Sequence, residues 1–212
     1  MKISYLKNIS KHIIFLLFFF LLLGIIFTCH GSAAESGGDK FNHLRKNEGV
    51  IFELKGVGLK KYFFMKAFVA GLYYPKGVSP VDPLEDVAKH LEVEYFVWIP
   101  GKRFSHFTVE KMKDNLSREE FERIKKEIGS MEKYFVDLRP GDRFSLTYIP
   151  GEGTSFAHNG RIMGVIQGKE FARAIFSTWF GRKPFDSKLK RQILGSAEPD
   201  RSARAVFARR YT

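Results

Sequence analysis

Three lysines, Lys60, Lys61 and Lys66, stand inside an otherwise apolar stretch that also holds Tyr62, Phe63, Phe64, Phe68, Tyr73 and Tyr74. An ammonium group in such surroundings must be paired or must meet a ligand, because an unpaired charge taken out of water is costly. Alternation puts Phe64, Lys66, Phe68, Ala70 and Leu72 on one face of a strand, with Met65, Ala67, Val69, Gly71 and Tyr73 on the other. Both faces are largely apolar, which predicts a central strand covered on two sides.

Other chemistry is sparse. There is no Gly-x-Ser-x-Gly nucleophile motif and no phosphate-cradling loop, and Gly56-Val-Gly58 lacks a third glycine and a βαβ setting. His43, His90, His106 and His158 are scattered without metal-ligand spacing, so they are expected at the surface or at helix ends. The carboxylate pairs Glu92/Glu94 and Glu119/Glu120 are read as solvated faces. No cofactor and no metal are expected. The formal charge is +12, an excess that favours anionic partners. No basic block interleaved with aromatics marks a nucleic-acid footprint, so nucleic acid is not expected.

The elements that position these residues begin after a leader. Lys2, Lys7 and Lys11 precede an apolar run from Ile13 to Phe27, then small residues through Ala34. Fifteen apolar residues are short for a membrane span, which takes roughly 20, and suit a signal peptide cut after Ala34. The protein is therefore expected to be periplasmic or secreted, touching a membrane only through the leader if that is left uncleaved. Cys29 is the single cysteine, so the processed chain would have no disulfide and no thiol nucleophile.

Residues 35–47 read as a flexible lead-in, 48–195 as one domain and 196–212 as a basic flexible tail. Val50 to Leu59 reads as a strand that turns near Gly56–Gly58 into a second strand, Tyr62–Tyr74. A short helix is expected over Asp82–His90, capped by Asp82, and a strand over Leu91–Ile99. Helical spacing follows over Phe104–Leu116. Ser117 and Glu120 then form a capping-box pattern for a helix to Tyr134. Arg143–Ile149 is a strand, and Asn159-Gly160 marks a hairpin between Thr154–Ala157 and Ile162–Ile166. Helices over Lys169–Phe180 and Ser187–Leu194 close the domain. This order predicts an α+β fold, an antiparallel sheet with helices on one face.

Several motifs in this order resemble the chalcone isomerase-like family, in particular its exported bacterial branch. They are Gly56-x-Gly-Leu-Lys60, Lys66-x-Phe-Val-Ala-Gly-Leu-Tyr73, Pro140-Gly-Asp, Tyr148-x-Pro-Gly-x-Gly, Phe171-x-x-Ala-x-x-Ser-x-Trp-x-Gly181 and Phe185-Asp-Ser-x-Leu-Lys190. The resemblance covers about Val50 to Gly195. It implies an open-faced β-sandwich, a long antiparallel sheet backed by helices, with a ligand cleft between the two.

Carried over by position, the family's ligand-contacting groups fall on Lys60, Phe68, Thr108, Asn115 and Thr178. Lys60 and Phe68 stand where the fatty-acid-binding relatives hold a carboxylate with an arginine and a tyrosine. The cleft would be lined by Phe64, Leu72, Phe171, Ile175 and Trp179. The resemblance thus implies a non-catalytic protein that binds a small amphipathic ligand, a fatty acid or a flavonoid-like molecule. The alternatives are an intramolecular lyase of the chalcone–flavanone type, disfavoured by Phe68, and an envelope interaction role through Arg201, Arg204, Arg209 and Arg210.

Overall fold

The computed structural model describes residues 49–196 and the backbone of strand 44–47; the leader, His43 and the basic tail from 197 onward lie outside the described residues. Seven antiparallel strands follow one another in chain order: β1 (Leu44–Asn47), β2 (Val50–Tyr62), β3 (Met65–Pro75), β4 (Lys89–Tyr95), β5 (Arg143–Ile149), β6 (Gly153–His158) and β7 (Arg161–Ile166). The β4–β5 connection carries α1 (Gly101–Asn115), α2 (Arg118–Arg123), α3 (Lys125–Met131) and a single 3₁₀ turn, Glu132–Tyr134. After β7 come α4 (Lys169–Phe180) and α5 (Ser187–Ile193).

One large apolar cluster joins the helices to the sheet, with Leu72, Leu91, Phe156, Phe171, Ile175 and Ile193 wholly buried in it. A smaller cluster of Phe52, Val57, Leu59, Val69 and Tyr73 lies on the other side of β2 and β3. From Ala67 to Tyr74 every residue of β3 is buried, as expected of a strand covered on both faces.

The two glycines of β2 do not turn the chain. They sit inside the strand, next to a register shift between Leu54 and Gly56. A Cβ on Gly56 would come within 2.5 Å of the Ile193 carbonyl oxygen, and one on Gly58 within 2.5 Å of the Leu189 side chain. Their role is close approach: α5 lies directly on the backbone of β2. The reversal comes five residues after Gly58, at Phe63-Phe64, between the paired residues Tyr62 and Met65. A second register shift, between Lys60 and Lys61, pairs Lys66 with Lys61 and Phe68 with Lys60. The simple alternation that put Lys66 with Phe68 is broken by that bulge.

Other boundaries also moved. Asp82–His90 forms turns and no helix. Lys89 and His90 are already in β4, paired with Tyr148 and Thr147. The Lys89 ammonium donates to the carbonyls of Pro83 and Glu85 at 2.9 and 2.6 Å, which helical hydrogen bonds would otherwise have claimed. The expected helix 118–134 is interrupted at Ile124 (φ −106°, ψ 14°). Residues 44–47 of the expected lead-in are strand β1.

Candidate functional site

Lys60 and Phe68 face each other across β2 and β3, so both side chains project toward the helices. The Lys60 ammonium donates to Asp186 Oδ2 at 2.5 Å, with the two side chains 21 and 18 % exposed. It also lies 4.9 Å from the Tyr62 ring centroid. Asp186 caps α5 with its other oxygen, Oδ1, which accepts from the Leu189 N–H at 2.7 Å. Partial burial raises the Asp186 pKa, but hydrogen bonds from Lys60 and from the first N–H groups of α5 outweigh it and hold the carboxyl below its usual range. The lysine already holds a carboxylate, supplied by the chain itself.

Beside this pair the wall is aromatic. The Phe68 ring lies 5.6 Å from Tyr95, 5.7 Å from Phe185 and 6.1 Å from Trp179. Trp179 and Phe185 meet edge to face at 4.6 Å. Behind them, between sheet and helices, is a cavity of about 20 Å³ whose lining includes Tyr95, Phe104, Thr108, Phe144, Ile175 and Trp179. That space takes a water molecule and no more. A larger groove of about 480 Å³ runs between α4, the end of α1 and the 82–84 loop. Its lining mixes Arg173, Arg182 and Lys190 with Asp82 and Glu120, which suits solvent and not an acyl chain.

The expected site residues divide. Thr108 reaches the cavity, but its hydroxyl donates to the Phe104 carbonyl at 2.9 Å. Asn115 and Thr178 stand elsewhere and share one job. Asn115 accepts from the Lys183 N–H and donates to the Lys183 carbonyl, at 2.8 and 2.9 Å. The Thr178 carbonyl accepts from the Phe185 N–H at 3.0 Å, while its hydroxyl donates to Ile175. Both therefore anchor the linker 181–186, which carries Phe185 and Asp186 to Lys60. Leu72, Phe171 and Ile175 are buried and Trp179 is partly buried, all within the main cluster. Phe64 is a correction. It is 91 % exposed at the hairpin tip and lines nothing, because the chain reverses at Phe63-Phe64 and not at the glycines.

Four further side chains were misplaced or missed. Glu92 and Glu94 are 3 and 1 % exposed, not solvated. They alternate with Leu91 and Val93 and so occupy the opposite face of β4, where Arg143 approaches them at 3.7 and 3.4 Å. His90 is also buried, its Nδ1 2.8 Å from the Thr147 hydroxyl. Lys89 is buried too, and burial lowers its pKa to about 8 despite the nearby carboxylates. The alternation in β4 marks a polar face but not whether that face is covered, so the burial of these side chains was not legible. Among the described residues no group of three or more acidic, histidine or cysteine side chains is placed to hold a metal.

The seven-stranded meander with helices on one face is the open-faced, helix-backed sheet that the family resemblance implies. Residues 33–195 match the chalcone isomerase-like family, and the chain belongs to it. No protein of curated description matches the sequence significantly. The crystal structure of a fatty-acid-binding protein of Arabidopsis thaliana superposes with a TM-score of 0.55 at 15 % identity, covering 74 % of this chain and 91 % of that one. The two proteins share the fold.

Proposed function

We propose that this protein binds an amphipathic carboxylate of the fatty-acid class between its sheet and its helices, and that it does so without catalysing a reaction. The observation that carries this reading is the Lys60–Asp186 pair at the aromatic edge of the cavity. A carboxylate already sits on the lysine, and the hydrocarbon begins next to it at Phe68. The fatty-acid binding of the Arabidopsis protein that shares the fold supports the same ligand class. Phe68 faces Lys60 across the strand pair and cannot donate a hydrogen bond to a ketone or to its water, which supports a binding role over a lyase. The apolar run Ile13–Phe27 behind three lysines supports export.

The form described is closed. Ligand pockets measure roughly 300–1,000 Å³, far above the 20 Å³ between sheet and helices. An entering carboxylate would take Lys60 from Asp186, and the linker 181–186 would lift with Phe185 to admit the chain. Two substitutions test this exchange. Lys60→Ala should weaken binding of a long-chain carboxylate well below that of its methyl ester. Asp186→Asn, which keeps a good cap residue on α5, should tighten carboxylate binding roughly fivefold, since a partly exposed ion pair is worth about 1 kcal/mol. Isothermal titration with a fatty acid and its ester reads both. Equal loss of acid and ester binding in Lys60→Ala would sink the assignment of Lys60 as the anion site.

A further inference from the structure

The β2–β3 hairpin ends in four consecutive exposed apolar residues: Tyr62 at 59 %, Phe63 at 97 %, Phe64 at 91 % and Met65 at 59 %. Isolated exposed apolar residues are ordinary, but a contiguous projecting run marks an interaction site. Phe63 moreover has φ 53°, a left-handed conformation that is a true outlier for a bulky residue. Two-residue hairpin loops favour Asn-Gly, Asp-Gly or Gly at such positions. Local rules broken without a packing gain point to function.

Just behind the tip, Lys61 and Lys66 stand directly opposite each other. Two ammonium-bearing side chains at the base of an apolar tip give it a positive charge pattern that complements an anionic surface. From Lys61 to Phe63 the strand advances about 7 Å at roughly 3.3 Å per residue. Amphipathic elements bury their apolar side about 5–10 Å into the boundary between headgroups and acyl chains. The spacing thus sets two ammonium groups at headgroup level when the phenyl rings reach hydrocarbon. A two-residue loop between the paired residues Tyr62 and Met65 also carries few unpaired backbone groups into that layer, where each would be costly. A second copy of the chain is a poorer occupant, because tip-to-tip contact would bring four lysines together.

We propose that this tip docks on the surface of a bilayer containing anionic phospholipids, Phe63 and Phe64 entering the acyl boundary and Lys61 and Lys66 resting among the phosphates and carboxylates of the headgroups. Trp98, 61 % exposed, follows β4 out of the sheet at the same end, where the Phe96 N–H donates to the Ala67 carbonyl at 2.8 Å. The docking does not depend on ligand binding at Lys60.

The full chain carrying Phe64→Trp tests this, with the emission of Trp98 and Trp179 subtracted using the parent protein. Vesicles contain brominated phosphatidylcholine, with or without one-third phosphatidylserine. Residue 64 should emit to the blue and be quenched at least twofold by shallow bromines on the anionic vesicles. On the neutral vesicles the quenching should be several-fold weaker. Adding Lys61→Gln and Lys66→Gln should bring the anionic signal down to the neutral one. The leader carries Lys2, Lys7 and Lys11 and itself favours anionic vesicles, but it is unchanged when Lys61 and Lys66 are replaced, so the fall on that replacement isolates the tip. An unquenched residue 64 on anionic vesicles, or equal quenching on both, would overturn the proposal. So would shielding of residue 64 by a protein partner in the absence of lipid. Unchanged far-ultraviolet circular dichroism shows that each variant is folded.

Discussion

At one end of the sheet the chain reverses twice through two-residue loops, between Tyr62 and Met65 and between His158 and Arg161. Antiparallel strands in chain order bring both loops to the same end. The second loop is Asn159-Gly160, with φ 50° and 81°, residue types that adopt the left-handed region at little cost. Asn159 does more than turn. Its Oδ1 accepts from the Arg143 N–H at 2.8 Å and its Nδ2 donates to Asp142 Oδ1 at 2.9 Å, tying the loop to β5. The first loop is Phe63-Phe64, where Phe63 holds φ 53° and is 97 % exposed. The backbone problem is the same in both, and only the second loop is solved for stability. The first keeps a conformation that disfavours its own side chain by roughly 1–2 kcal/mol, and its apolar surface faces solvent. What differs is what each loop is for.

Substitutions at the two loops should therefore act in opposite directions. Asn159→Ala removes two hydrogen bonds and a left-handed preference, and should cost about 2 kcal/mol in urea unfolding. Loss of less than about 0.5 kcal/mol would mean the side chain is not holding the loop. Phe63→Gly should instead raise stability by about 1 kcal/mol, since glycine relieves the left-handed φ and no packing is lost. The same variant should bind anionic vesicles less well than the parent. A destabilised Phe63→Gly would break the contrast, for it would show the ring to be packed and its role structural.

The sequence made the second loop legible and the first opaque for the same reason. Asn-Gly between alternating residues is a local signal, and it located β6 and β7 correctly. Phe63-Phe64 carries no turn signal, so the reversal was assigned to the glycines at 56 and 58, whose purpose is contact with α5 some 130 positions away. The meander, α4, α5 and the Lys60–Phe68 neighbourhood followed from local pattern and family resemblance. The partner of Lys60 did not, because a pairing with Asp186 across 126 residues leaves no trace in periodicity. The same limit hid Glu92, Glu94 and His90, whose burial is decided by a face of the sheet that the strand's own sequence does not describe. Asn115 and Thr178 were placed at ligand contacts by resemblance, while their hydrogen bonds serve the linker.

The smallest expected difference between the loops is in acid. Asp142, at the Asn159 loop, is raised by partial burial, but hydrogen bonds from Asn159, from the Arg139 N–H and from His158 prevail and hold its carboxyl below the usual range. A carboxyl depressed in the folded state stabilises at pH above its unfolded value of about 3.9, and that contribution is lost as pH falls through the lower folded value. The group is partly exposed and its contacts are screened accordingly, so the loss is about 0.5 kcal/mol. No carboxylate lies in the stretch from Lys60 to Lys66 itself; the Asp186 carboxyl held by Lys60 acts at the base of that hairpin and not at its 62–65 loop. Amide hydrogen exchange from pH 5 to pH 3, corrected for intrinsic rates, should show the 158–161 hairpin opening more readily while 62–65 shifts only with the global stability. Asp142→Asn should flatten the difference. A parallel shift of both hairpins in the parent protein would mean that Asp142 reports on the fold as a whole and not on the loop it touches.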